Sequence, residues 1–439
     1  MRRLLSALFA LLVGASSLAY WQRPSSELFH FGWEYGNLAE GLLRGHGLAD
    51  AMARDSGPSA WMPPLLPCLY AAVFKIWGIK TRAACLALLG LRSLSAGLCL
   101  YWVLGWFPGR ARQLGATVLV VMGTFLDAQH QLADLNDVWW TQLWLCLALQ
   151  LSLQPARPWL AAPLLLASPA SSLSMLFGLL PDLGRRRRTA WLLVAWTALA
   201  GLGWGLRNQL ALGHFYPVKS NFWFDFQLAN QLDDDGLITL STVDTFHPIK
   251  ANQAQTRYVK LGEAEFLEQA RSQAEQTNPH EWLRRVLRRG GNAFWCLQSE
   301  VDEGPALDLS PAQQEQFQKW GWLVVKEVGP LWLFLQRPLP QEPASRQQAR
   351  QRYQLGLESG RACLWAYWFT LFPGLAALYL WFTDPRQRRL VACYLGFLLP
   401  YVLIQHYARY QVSTLFLQVT LEVSAWTTFW RDRVDVQEP

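Results

Sequence analysis

Four sets of residues put acids and arginines at the ends of apolar segments. They are Glu34, the pair Asp134 and Asp137, the pair Arg207-Asn208, and Arg409-Tyr410. A carboxylate at a membrane surface can take the proton from an acceptor hydroxyl as that oxygen attacks an anomeric carbon. An arginine can hold a lipid-phosphate leaving group in its planar fork. Acids facing arginines in this way suit transfer of a sugar from a lipid phosphate. Taken singly, each residue reads more simply as a helix-end charge in water. Asp137 directly precedes Val138-Trp139-Trp140 and equally fits an N-cap favoured by the helix dipole.

Glu34 lies in the stretch 31–64. That stretch begins as a short amphipathic helix with Tyr35, Leu38, Leu42 and Leu43 on one face. It breaks at Gly45 and Gly47, continues as a polar loop and ends in Trp61-Met62-Pro63-Pro64. An acid followed by aromatics and a Pro-Pro turn fits a site at the bilayer edge, or an ordinary amphipathic loop helix between two spans.

Composition sets the class of protein that must position these residues. Of 439 residues 52% are hydrophobic and 16% charged, well below the quarter usual in soluble domains. The 24 tryptophans favour membrane interfaces. The net charge of +7 comes from short basic runs at the ends of apolar segments, so it reads as membrane anchoring, and no nucleic-acid partner is expected. The cysteines are scattered without C-x-x-C spacing, and Cys296 alone falls in the long polar region, so no disulfide framework is implied.

The fold class that follows is an α-helical polytopic membrane protein of about ten crossing segments, some short, with a mixed extracytoplasmic region. Residues 4–20 read as a retained first span or as a signal peptide, and the apolar remainder favours the span. Later apolar segments are 61–78, 83–107, 114–127, 138–153, 159–183, 189–206, 363–382, 390–405 and 412–430. Basic clusters lie at Arg110/Arg112, 185–188, Arg386/Arg388/Arg389 and Arg431/Arg433. One threading makes all of them cytoplasmic. It requires 61–78 to lie at the interface or to dip and return, and 159–183 to make two half-length passes that turn near Ser168-Pro169-Ala170-Ser171. The three parts are then 1–206, membrane module with first outer loop; 207–361, extracytoplasmic; and 362–439, last spans.

Within the outer part, Asn221 to His247 carries strand-like and turn chemistry, with Leu237-Ile238-Thr239-Leu240 after the turn Asp233-Asp234-Asp235-Gly236. Residues 263–289 read as helix broken at Asn278-Pro279, and 310–320 as another short helix. The run 320–335 should lie on the bilayer surface, and 338–354 is linker-like. Asp233 to Asp235 read as a solvated turn before a cation site, the interval His130 to Asp137 is too loose for a metal motif, and His214, His247 and His280 read as solvated. No phosphate-cradling loop and no G-x-G-x-x-G occurs.

The runs Trp33-Glu34-Tyr35-Gly36-Asn37-Leu38-Ala39-Glu40-Gly41 and Ala60-Trp61-Met62-Pro63-Pro64, with Phe74-Lys75-Ile76-Trp77-Gly78, resemble the amino-terminal signature of GT-C membrane glycosyltransferases. The nearest branch is that of protein O-mannosyltransferases and the lipid A aminoarabinose transferase. Arg207-Asn208, Val218-Lys219-Ser220-Asn221-Phe222 and Asn230 resemble a loop of its bacterial members, and Ala408-Arg409-Tyr410 resembles the end of the fold. The resemblance implies an inverting transferase of the inner (plasma) membrane, with its site on the periplasmic or exterior face. A polyprenyl-phosphate sugar would be the donor, membrane lipids its surroundings, and the acceptor is left open. Glu34 and Asp137 become the candidate catalytic acids, Arg409 and Arg207 the phosphate ligands, and Tyr35, Trp61, Lys219, Asn221 and Tyr410 the substrate contacts. Phe31 and Gly32 stand where the family carries its Asp-Glu pair, whereas Asp137 matches a second acid at the head of a span. A divalent metal beside these acids is the one cofactor the resemblance admits. The missing pair also keeps open a non-catalytic membrane partner. A transporter of a lipid-linked substrate would want charge in mid-span, where Arg92 stands alone.

Overall fold

Helices of two kinds account for the fold. The computed structural model describes residues 1–21, 27–127, 132, 134–154, 157–184, 187–232, 243, 245–295, 371–405 and 409–434. Among these, α1 (Arg2–Trp21), α4 (Arg82–Leu104) and α9 (Arg187–Leu212) are long and apolar enough to cross a membrane, and the protein is membrane-associated through them. Their outward leucines and tryptophans, such as Leu11, Leu94, Trp191 and Leu199, are exposed, as lipid-facing side chains must be.

Shorter helices fill the bundle: α2 (Glu34–Leu43), α3 (Leu65–Trp77), α5 (Arg110–Met122) with a wider turn Gly123–Asp127, α6 (Val138–Leu153), α7 (Ala161–Ala167) and α8 (Pro169–Leu179). At 13 residues α3 is about 20 Å long, short of the ~30 Å hydrocarbon layer, in keeping with an interfacial or dipping segment. The break between α7 and α8 falls at Ser168, whose hydroxyl caps Ser171 N while Pro169 opens the new helix. After α9 come α10 (Phe222–Gln227) with the wide turn Leu228–Leu232, α11 (Asn252–Ala274), α12 (Pro279–Trp295), α13 (Leu371–Thr383), α14 (Arg388–Leu403), α15 (Arg409–Val412) and α16 (Leu415–Val434).

The outer part departs from the mixed fold expected for it. Among its described residues it is helical, and the one β feature among all the described residues is an antiparallel bridge between Ala49 and Pro58, in the first loop. Residues 221–232, expected as strand and turn, are helical because Asn221 opens α10 and the chain stays wound to Leu232. The helix expected from 263 begins at Asn252 and is kinked at Gly262, which takes φ 75°. The expected strand at 237–240, the helix at 310–320, the surface run 320–335 and the linker 338–354 lie outside the described residues.

Close packing decides how the bundle is wound. On α4, a Cβ at Gly97 would stand 2.9 Å from that of Ala10, so α1 and α4 approach through small residues. Arg92 of α4 is fully buried, and its guanidinium donates to the Ser17 hydroxyl and to the carbonyls of Asp134 and Leu132. It is a clamp, not a mid-span charge awaiting a substrate. The basic helix ends share one end of the bundle: Arg2 lies over Tyr101, Trp102 donates to Gln150, and Arg389 pairs with Asp182. The opposite end carries Glu34, Asp137, Arg207 and α15. There a second core joins the first loop to α10 and α11 through Leu38, Met52, Trp61, Phe224, Tyr258 and Phe266.

Candidate functional site

The chain reaches Glu34 through a turn in which Phe31, Gly32 and Trp33 all have positive φ, at 53°, 66° and 55°. Two aromatic residues in that region are strained, and the surroundings must hold them there. Phe31 is fully buried edge-on to Phe74, Trp33 stacks on His30 at 3.9 Å, and Gly36 leaves room for the Phe31 carbonyl. Gly32 lies directly on the Leu135 carbonyl, where any Cβ would collide. That carbonyl also accepts the Tyr70 hydroxyl at 2.5 Å. With Arg92 holding Leu132 and Asp134, the acidic segment 134–137 is fixed from below while the first turn of α2 is pressed against it. Two acid-bearing stretches a hundred residues apart therefore meet at one end of the bundle.

Around Glu34 the neighbours are unexpected. Its carboxylate is 3.6 Å from Nε2 of His247, a residue expected in solvent but buried edge-on against Trp61 and Phe224. Trp61 itself is completely buried among Phe224, Tyr258 and Phe266, so its contribution is packing, not contact with a substrate. Tyr35 is likewise enclosed between α2 and α3. His214 and His280 are exposed, as expected.

Asp137 stands at the head of α6 but makes no capping bond with its side chain. Asn136 does that work, its Oδ1 accepting Val138 N at 3.1 Å. The Asp137 carboxylate is left near Lys219, whose ammonium donates to Asp225 at 2.8 Å. Burial pulls the Lys219 ammonium down, but Asp225, with Tyr410 and Asp137 beyond it, outweighs this and holds it above its usual range. Asn221 follows, 3% exposed, with a buried Oδ1 that has no hydrogen-bond partner among the described residues. Tyr410 stacks on Tyr401 at 3.8 Å and accepts from Gln405. In α15, Val412 packs on Val138 and its carbonyl accepts from Gln142, which brings the backbone of Arg409 to the head of α6. The Arg409 side chain lies outside the described residues.

Arg207 is engaged within the protein. Its fork donates to the carbonyls of Ser59 and Leu48 at 2.8 Å, and Asn208 donates to that of Tyr216. These bonds tie the end of α9 to the first loop, where a phosphate ligand was expected. Beside them lies Glu263, 2% exposed, which accepts from Ala60 N, the Ser220 hydroxyl and the Tyr258 hydroxyl. Burial pushes its carboxyl up from the ordinary range, although the three donors pull the other way. Sequence reading missed Glu263, Asp225 and the burial of His247. The glycine before Glu263 is the one local sign, since its positive φ turns the second half of α11 inward.

No three His, Cys, Asp or Glu side chains among the described residues are grouped to hold a metal. Asp233 to Asp235 and His130 lie outside them. No family model, no curated protein and no solved structure matches this chain.

Proposed function

We propose that the protein is an integral-membrane glycosyltransferase that moves a sugar from a polyprenyl-phosphate donor to an acceptor hydroxyl, at the bundle end bearing Glu34 and Asp137. The observation that carries this reading is the gathering of Asp137, Lys219 and Tyr410 from three distant parts of the chain, with Asp137 freed from capping by Asn136.

In this reading Asp137 takes the proton as the acceptor oxygen attacks the anomeric carbon. The bond to the phosphate oxygen breaks on the opposite face, with inversion, and the polyprenyl phosphate leaves with the electron pair. Lys219 and Arg409 supply positive charge to that phosphate. Asn221 offers a hydrogen-bond acceptor to a sugar hydroxyl. Glu34, beside His247, is the second candidate base. The fold would be a GT-C-like arrangement of about ten crossings in the inner (plasma) membrane, with the basic ends cytoplasmic and the site on the outer face.

The test is turnover of labelled polyprenyl-phosphate sugars by the purified full-length protein in nanodiscs. Turnover that is lost in Asp137→Asn, with folding intact, supports the reading. Full activity in both Asp137→Asn and Glu34→Gln would leave it without a base. A non-catalytic membrane partner is favoured by one observation, that the Arg207 fork is engaged within the chain. An inactive protein that co-purifies with a second membrane enzyme would decide for that role.

A further inference from the structure

Helix α12 runs down beside α14 from the end of the bundle that carries the proposed site. Trp282 donates to the Leu403 carbonyl at 3.1 Å, Gly290 faces Val402, and Phe294 lies against Tyr394 and Gly374. Between Trp282 and Phe294 the helix brings Arg289, fully buried, into the bundle. The proposed chemistry does not use it.

The last carbonyls of a helix have no partner within it, and a cation at that end is favoured by the helix dipole. The end of α14 meets this need from outside. Arg289 donates through Nε to Val402 at 2.8 Å and through Nη2 to Leu403 at 3.1 Å. Asn230, in the wide turn after α10, donates to the Ile404 carbonyl at 3.2 Å. The same amide donates to Phe226 at 2.7 Å, and its Oδ1 accepts from Nη1 of Arg289 at 3.1 Å. Arg285, one turn before, donates to Ala229 in that turn. One guanidinium, each nitrogen serving a different acceptor, therefore joins α12, the end of α14 and the turn that closes α10.

Both joined ends lead within a few residues to the proposed site. On α14, Tyr401 precedes Val402 and stacks on Tyr410 at 3.8 Å, and Gln405 donates to the Tyr410 hydroxyl at 3.3 Å. On α10, Asp225 precedes Phe226 and accepts from Lys219 at 2.8 Å. In the proposed function the two arms serve one phosphate, Lys219 from the first and α15, with Arg409 and Tyr410, from the second.

We infer that Arg289 is a positioning residue of the donor site. Through its three acceptors it fixes the spacing of the Lys219 arm and the Tyr410 arm, and so their fit to a lipid phosphate. Lysine cannot take its place, because one ammonium does not span acceptors that a planar guanidinium reaches together. The inference rests on the transferase reading of the site.

Binding of undecaprenyl phosphate and of undecaprenol to the purified full-length protein in nanodiscs tests it, since the two lipids differ only in the phosphate. The parent protein should prefer the phosphate. Arg289→Lys should weaken binding of the phosphate on the order of tenfold, the worth of one displaced hydrogen bond to a charged group, and leave undecaprenol unchanged. A loss of folded protein alone would lower the number of binding sites and not the affinity. Asn230→Asp keeps the acceptor for Arg289 but loses the donor to Ile404 and Phe226, so it should weaken the phosphate in the same way. Trp282→Phe removes a bond to Leu403 from the same helix but spares the bridge, and should keep the parent's affinity. A 3-fluorotyrosine at position 410 reads the arm itself, and its fluorine resonance should move in Arg289→Lys. A parental preference in both Arg289→Lys and Asn230→Asp, or a lost preference with an unmoved resonance, would overturn the inference alone. A parent protein that binds the two lipids alike would overturn the transferase reading together with it.

Discussion

Asp137 and Asn136 divide two tasks that neighbouring residues at a helix start can share. Asn136 accepts the Val138 amide, and the Asp137 carboxylate makes no capping bond. Asn136→Ala should therefore lower thermal stability by about 1 kcal/mol and keep donor turnover. Asp137→Asn should keep the melting temperature and abolish turnover. A melting loss in Asp137→Asn as large as in Asn136→Ala would return Asp137 to a capping role. Glu263 gives a second prediction at this scale. Its removal in Glu263→Ala strands an amide and two hydroxyls in a buried site, which should cost about 3 kcal/mol in thermal unfolding. Because its folded pKa is raised above the ordinary 4.5, the folded state binds the proton more tightly than the unfolded chain. Its contribution to stability is then largest below about pH 4.5 and declines as pH rises through the raised folded value. Melting curves across that window should lose the decline in Glu263→Gln.

At the scale of elements, the turn before α2 sets the distance between the two acidic stretches. Gly32 combines a φ of 66° with contact against the Leu135 carbonyl. Gly32→Ala should cost about 2 kcal/mol or more and displace the 134–137 segment, so turnover should fall although no acid is changed. Gly45 has φ 86° but open space around it. Gly45→Ala should cost about 1 kcal/mol and leave turnover unaltered. Equal activity in the two variants would show that the turn does not position the acids. The pair Arg207-Asn208 acts at the same scale, fastening α9 to the first loop and to the turn at Tyr216.

For the whole molecule, the helices sort their charges by end. Arg2, Arg386 and Arg389 belong with the end at Tyr101, Gln150 and Asp182, and Glu34 and Asp137 lie at the other. A positive-inside protein would hold the first end in the cytoplasm. Cysteine labelling in intact cells at position 184, after α8, and at position 255, in α11, should report opposite sides of the membrane. The same side for both would sink the orientation and the placement of the proposed site with it.

Much of this architecture was legible in the chain. Apolar length marks α1, α4 and α9, and the Ser168-Pro169 pair marks the break between two short helices, because span length and capping are properties of local sequence. The acids Glu34 and Asp137 were legible as candidates because they stand beside apolar runs. What tertiary structure alone decided is which polar groups are already satisfied. Arg207 and Arg92 look like free cations in the sequence, yet each is bound to carbonyls 40 to 159 residues away. Trp61 and His247 look interfacial and solvated, yet they share a buried core built from the far side of the fold. Glu263 has no local mark beyond a glycine, because a buried carboxylate is defined by donors that only folding brings to it. Burial and hydrogen-bond partnership are long-range properties, and no periodicity or spacing in the chain encodes them.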